Sequence, residues 1–213
     1  MKLAKFGLAA LISLLSCLSA ASQEQAAPNA AAYNIELIIF RATNALGAPE
    51  NWAAEASDRN FSNDSNAGES SPGDTTQVGH FLRLLPESQF QLADIEKKLH
   101  ASAGYAPLVH VAWTQTASAW GTRAGFALAR VGIDVPGLTG TVVLERGQFL
   151  HLGMTLAYAP ANPPAGLAAP AGTVFTLNAG RRVRFNERTY FDHPAFGVIA
   201  LVTPVPGSRP AAR

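Results

Sequence analysis

Cysteine is almost absent from this 213-residue chain, with Cys17 the single example. No disulfide framework can therefore form within it, and neither a Cys-based metal site nor a thiol nucleophile is available to a mature domain that begins beyond residue 17. Lysine is scarce as well: after Lys2 and Lys5 only Lys97 and Lys98 occur, and the other basic residues are arginines. Arginine forms flat, two-pronged bonds to carboxylates and phosphates, although a compositional bias toward arginine accounts for the same excess. Charged residues make up only 15% of the chain. Without Lys2 and Lys5 there are 14 basic residues against 15 acidic ones, a net charge near −1, which excludes nucleic-acid binding driven by bulk positive charge. Beyond the N-terminus no segment approaches the ~18 uninterrupted apolar residues of a membrane helix. Catalytic signatures are missing too: there is no GxSxG, HExxH, Walker loop or strand-linked GxGxxG. The histidines, His80, His100, His110, His151 and His193, lack metal-ligand spacing. No metal and no cofactor is implied.

What is present begins with an export signal. Met1 to Lys5 is a short basic segment, Phe6 to Leu18 an apolar core, and Ser19-Ala20-Ala21-Ser22 a run of small residues suited to cleavage. This assigns residues 1–22 to a signal peptide and the mature protein to the periplasm. Leu14-Leu15-Ser16-Cys17 also resembles a lipoprotein cleavage site; on that alternative Cys17 is lipidated and the protein sits on the outer membrane. Residues 23–32, rich in Ala, Gln and Pro, read as a tether, and 33–204 as a single domain large enough for a sizeable core.

Within that domain strand patterns dominate. Tyr33 to Arg41 alternates and then turns apolar on both faces, the mark of a central strand. Pro49-Glu50-Asn51-Trp52 reads as a short connection. Residues 57–77, rich in Ser, Asn, Asp and Gly, read as a flexible loop. Ser88 with Gln91 forms a capping box ahead of an apolar stripe at Leu92, Ile95 and Leu99, predicting the principal amphipathic helix, with Gly104 as its stop. Val109, Val111 and Trp113 share one strand face and His110 takes the other. Phe126 to Ile133 reads as a strand. Leu138 to Glu145 and Gln148 to Tyr158 alternate across Arg146-Gly147 and form an antiparallel hairpin. Arg181 to Asn186 is predicted to pair back on Val174 to Leu177 across Asn178-Ala179-Gly180. Gly197 to Val202 closes the domain, and 205–213 reads as a disordered tail. The fold class is α+β: one main, mainly antiparallel sheet of six to eight strands with the principal amphipathic helix packed on a face.

The densest polar chemistry lies between Arg181 and Pro204. On a strand, Arg182 and Arg184 share one face and can bind an anionic ligand, while Val183 and Phe185 turn inward. The competing reading is a solvated face paired with Glu187 or Glu145. Tyr190 and Trp113 offer flat surfaces of the kind sugars stack on, with core packing the competing reading. Asp192 beside His193 suggests an acid/base dyad, but adjacent residues of an extended segment point to opposite faces, and Pro194 keeps His193 extended; a turn into the last strand is the plainer account.

The order of YNIELIIFR, PENW, GYAPLVHVAWTQ, LTGTVVLERGQFLHLGMTLAY and RRVRFNERTYFDHPAFGVIALVTP resembles the CsiV family of periplasmic peptidoglycan-binding proteins, over Tyr33 to Pro204. The resemblance implies a non-enzymatic envelope protein that binds peptidoglycan, supports cell-wall synthesis and cell shape, and partners an outer-membrane lipoprotein activator of a penicillin-binding synthase. It transfers no binding residue. Two other functions remain open on the residues alone: an envelope adaptor that binds a cell-wall synthesis protein, and a cell-wall hydrolase using Asp192, His193 or Glu187.

Overall fold

A computed structural model describes residues 31–44 and 81–208. The signal peptide with Cys17, the Pro49–Trp52 connection, the 57–77 loop and the end of the tail lie outside the described residues.

Among the described residues ten strands form two sheets. Sheet 1 contains β1 (Ala32–Ala42), β2 (Leu82–Leu84), β3 (Tyr105–Thr116), β9 (Arg188–His193) and β10 (Phe196–Pro204) in the order β2-β3-β1-β10-β9, every pair antiparallel. Sheet 2 contains β4 (Ser118–Ala119), β5 (Gly125–Ala127), β6 (Leu138–Arg146), β7 (Leu150–Tyr158) and β8 (Phe175–Arg182). There β6, β7 and β8 run antiparallel in sequence, and the short β4 and β5 both lie along the other side of β6, β4 parallel to it. The expected single sheet is thus two. Alternation reports which residues share a face, but not where one sheet ends and the next begins.

The two sheets share one core. Tyr33, Ile35, Leu37, Ile39 and Trp113 from sheet 1 cluster with Val142, Leu144, Leu152, Met154 and Leu156 from sheet 2, each almost fully buried. This explains the doubly apolar end of β1. Its odd-numbered residues fill the space between the sheets, while Ile38 and Phe40 join a second cluster with Leu92, Leu99 and Leu201, against which Ile95 also packs. Gly197 permits that second cluster, because a Cβ there would stand 2.7 Å from the Phe40 ring.

The one α-helix among the described residues, α1, spans Ala93–His100. The expected Ser88/Gln91 capping box is not what starts it. Ser88 lies in a separate 3-10 turn, Glu87–Gln89, and the N-cap is Leu92, which has no side-chain cap. The cap instead comes from β1: the Glu36 carboxylate accepts the backbone N–H groups of Gln91 (2.8 Å) and Leu92 (2.7 Å). A distant carboxylate thus satisfies N–H groups at the start of the helix that have no intrahelical partner. Glu36 also accepts from His110 Nε2 at 2.7 Å, and His110 Nδ1 meets Glu96 of α1 at 2.8 Å.

Two further corrections concern strands. Phe126 to Ile133 is only partly extended, the three-residue β5 giving way to a 3-10 turn at Leu128–Val131 that buries both end residues. Arg181 to Asn186 is not a return strand across Asn178-Ala179-Gly180. Those residues continue β8, which pairs with β7 through Arg182, and the chain then leaves the sheet. At the end of the domain Val205 N–H donates to Ala32 O, so the start of the tail is tied to β1.

Because Glu36 and the His110 side chain are almost completely buried, Glu36→Ala leaves His110 Nε2 and two backbone donors unmatched, with Glu96 still on Nδ1. It should cost about 3 kcal/mol, lowering Tm by roughly 6–12 °C in thermal unfolding. A pH series tests the same cluster. Burial alone pushes the His110 pKa down, but hydrogen bonds and charge from Glu36 and Glu96 outweigh it and hold the pKa above its ordinary 6.5. The stabilisation is therefore complete below about pH 6.5 and is lost as pH rises through the folded pKa. The Tm gap between wild type and His110→Gln should be widest below pH 6.5 and narrow at alkaline pH; a gap independent of pH would assign His110 a packing role only.

Candidate functional site

The fold distributes the sequence-predicted ligand residues instead of collecting them. Trp113 is fully buried between the sheets, its indole N–H donating to Gln115 Oε1 at 2.7 Å, so it offers no face to a sugar. Tyr190 is on β9, on the side of sheet 1 that carries α1, stacked on Phe40 and donating its hydroxyl to Asp192 at 2.9 Å. Burial first, and the neighbouring Asp192 second, hold its phenol well above the usual range. Arg182 ends β8 on the outer face of sheet 2, on the opposite side of the molecule from Tyr190. Arg184 lies in the following loop, 3.6 Å from Glu187. The proposed pair of guanidinium groups on one strand face does not exist, because the strand stops at Arg182. Val183 is buried as expected, but Phe185 is 45% exposed and stacks on Tyr33.

Asp192 and His193 are each committed elsewhere. Asp192 takes the Tyr190 hydroxyl, and His193 Nδ1 accepts the backbone N–H of Ala195 at 3.1 Å in the turn between β9 and β10. Nδ1 is therefore unprotonated. Burial lowers the His193 pKa against the opposing pull of Asp192. Glu187 is exposed beside Arg184. Among the described residues no group of His, Cys, Asp and Glu could hold a metal ion.

A different cluster stands out on the outer face of sheet 2. Register places Glu145, His151 and Arg182 side by side across β6, β7 and β8. Glu145 is buried and accepts the backbone N–H of Arg123. Trp120 follows β4, its N–H donating to Arg146 O, and its indole, 59% exposed, lies over the His151 ring at 4.3 Å. The Arg182 guanidinium lies 3.4 Å from the centroid of the exposed Phe149 ring. His151 Nδ1 is the one buried side-chain polar atom without a hydrogen-bond partner among the described residues. Beyond this row the same face carries Val143, Gly153 and Gly180, then Thr141, Thr155 and Asn178, then Thr139, Ala157 and Thr176. Trp120 and Phe149 were missed in the sequence. The available signal was a tryptophan in Ser118-Ala119-Trp120-Gly121, with no apolar alternation to bury it. A separate open groove of about 510 Å³ lies between the start of α1 and residues 186–188.

Two stacked sheets, one of them exposing aromatic, cationic and hydroxyl groups on an open face, define an antiparallel β protein with a surface suited to an extended ligand. The chain belongs to the CsiV family: the family model described as peptidoglycan-binding protein, CsiV, matches residues 7–205. No curated protein and no solved structure matches the chain. Among the described residues no helix is long and apolar enough to cross a membrane.

Since Arg182 and Arg184 are both exposed and neither is buried in an ion pair, replacing both with alanine should shift Tm by no more than about 2 °C. A drop beyond about 5 °C would show that they hold the β8–β9 connection together.

Proposed function

We propose that the protein is a non-enzymatic, exported binding protein of the cell envelope that holds peptidoglycan in the periplasm and supports wall synthesis and cell shape. The family match across residues 7–205 carries this reading. The open face of sheet 2 supports it chemically. Peptidoglycan is an extended polymer of amino sugars and carboxylate-bearing peptides, and such a ligand calls for a long surface with aromatic, hydrogen-bonding and cationic groups. A lipoprotein activator of a penicillin-binding synthase is the partner that fits this role. Arg182 is the predicted ligand residue we retain at the binding face; Arg184, in the adjoining loop, is a second contact for the peptide carboxylates. Tyr190 on the opposite side would serve a separate contact.

An adaptor reading has one specific observation in its favour. Among the described residues the strand β8 ends the order of sheet 2, leaving one side of an eight-residue strand open to pairing. Crosslinking in cells that yields no envelope protein above background would remove it.

The primary test is co-sedimentation of the purified mature domain with intact sacculi. We expect most of the protein in the pellet at moderate salt. Protein that remains wholly in the supernatant would overturn the proposal.

A further inference from the structure

We infer that the outer face of sheet 2 is a glycan subsite, taking a strand of N-acetylated amino sugars with Trp120 as the stacking platform and Arg182 beside it for a carboxylate. The inference rests on the reading of the protein as a peptidoglycan binder and says which part of the polymer is held, and where.

Three independent features meet on this face. The first is the pair of exposed rings, Trp120 and Phe149, at one end of a surface whose other side chains are mostly small or hydroxylated. Trp120 rests on His151 instead of in the core, so its outer surface is presented to solvent by a support beneath it. A rigid ring held this way gives a sugar's apolar face a large contact at little cost in conformational freedom. The second is the unmatched Nδ1 of His151 under that ring. A buried nitrogen without a partner is costly to the fold, and here it sits within a patch that also has exposed aromatic rings and an arginine. Arg182 carries no ion pair among the described residues; its guanidinium lies against Phe149, oriented and available for a carboxylate.

The third feature is the Gly153–Gly180 pair, directly opposite each other on β7 and β8. Glycine weakens a strand interior and usually marks a bulge, a bend or a place where another group comes close. The register runs unbroken through both positions, and neither has a positive φ. There is also room for a side chain: a Cβ on Gly153 would make only ordinary contacts at 3.8–4.0 Å, and one on Gly180 would meet nothing within 4 Å. Gly140 on β6 shows the contrast, since its φ is 142° and a Cβ would stand 2.1 Å from Thr155 O. Nothing among the described residues requires glycine at 153 or 180. Their effect is a shallow trough between the His151 and Arg182 row and the Thr155 and Asn178 row, which lets a ligand lie close to the backbone.

The hydroxyls and amide of Thr141, Thr155 and Asn178 line the far side of the trough, suited to sugar hydroxyls and acetamido groups. From the His151 row to the Thr139 row is six residues, about 20 Å at the rise of a strand, long enough for several sugar rings. On the three central strands of this face Arg182 is the cationic side chain, and an anionic group fits beside it. That group is either the lactyl carboxylate of the glycan or a carboxylate of the attached peptide.

The experiment uses the mature chain and four probes: intact sacculi, glycan strands stripped of peptide by an amidase, neutral N-acetylglucosamine oligomers, and free stem peptide. Wild type should bind the first three and not the last. Trp120→Ala should weaken every glycan probe about tenfold. Arg182→Ala should weaken stripped glycan while leaving the neutral oligomers unaffected; if it weakens sacculi alone, the carboxylate belongs to the peptide. Gly180→Val, which fills the trough, should abolish glycan binding with Tm unchanged or raised, a result that loss of folding cannot imitate. Binding of free peptide without stripped glycan, or of sacculi unaltered in all three variants, overturns the glycan subsite while leaving peptidoglycan binding intact. Failure of wild type to bind sacculi overturns the broader reading instead.

Discussion

The Glu36 carboxylate is the constraint on which the arrangement of layers depends. A buried charge is tolerated only when its hydrogen-bonding capacity is met. Glu36 is on the central strand of sheet 1 and is met from two directions, by His110 of β3 and by the backbone at the start of α1. The imidazole in turn reaches Glu96 inside the helix. Carboxylates at both nitrogens favour the imidazolium form, in which two donors lie between two acceptors, and raise the His110 pKa. Strand, neighbouring strand and helix are joined through one polar cluster, and the position of the helix follows from it. Leu92 and Leu99 then add apolar contact to a placement the charges have already specified.

This placement gives the two sheets different outer faces. On sheet 1, Ile38, Phe40 and Leu201 lie in the cluster that also holds Leu92 and Leu99 from the helix segment. On sheet 2, beyond the row of Glu145, His151 and Arg182, the outward positions of β6, β7 and β8 are threonine, asparagine, glycine and alanine together with Val143, and aromatic and cationic groups gather at one end. The inner faces are alike, since both sheets bury aliphatic and aromatic residues against each other. The surface that can meet an extended polymer is thus the outer face left open when the helix is anchored to the other sheet.

The arginine-rich stretch from residue 181 onward illustrates how a single run of sequence is divided by the fold. Arg181, exposed, leans toward the Phe191 ring, Arg182 lies on the Phe149 ring outside, Arg184 pairs with Glu187 in a loop, and Arg188 approaches Asp94 of the helix. Four neighbouring cations thus have four unrelated environments. The polypeptide leaves sheet 2 after Arg182 and enters sheet 1 at Arg188, so these residues are the crossover between layers. Charge density along the chain says little about charge density in space at such a place.

The sequence by itself determined the strands whose faces differ in polarity. The alternation of Leu138 to Glu145 and Leu150 to Tyr158 was legible because one side of a strand is buried and a slip of one residue would expose it. The double-faced character of β1 and the order of motifs that marks the CsiV family were legible for the same local reasons. What only the tertiary structure decided depends on groups far apart in sequence. Glu36 caps a helix 55 residues away, where Ser88 and Gln91 had the local pattern but not the geometry. Trp113 and Trp120 are chemically identical, yet one is sealed between sheets and the other rests on His151. The difference lies in which layer is packed above each ring, and no local window of sequence carries that information.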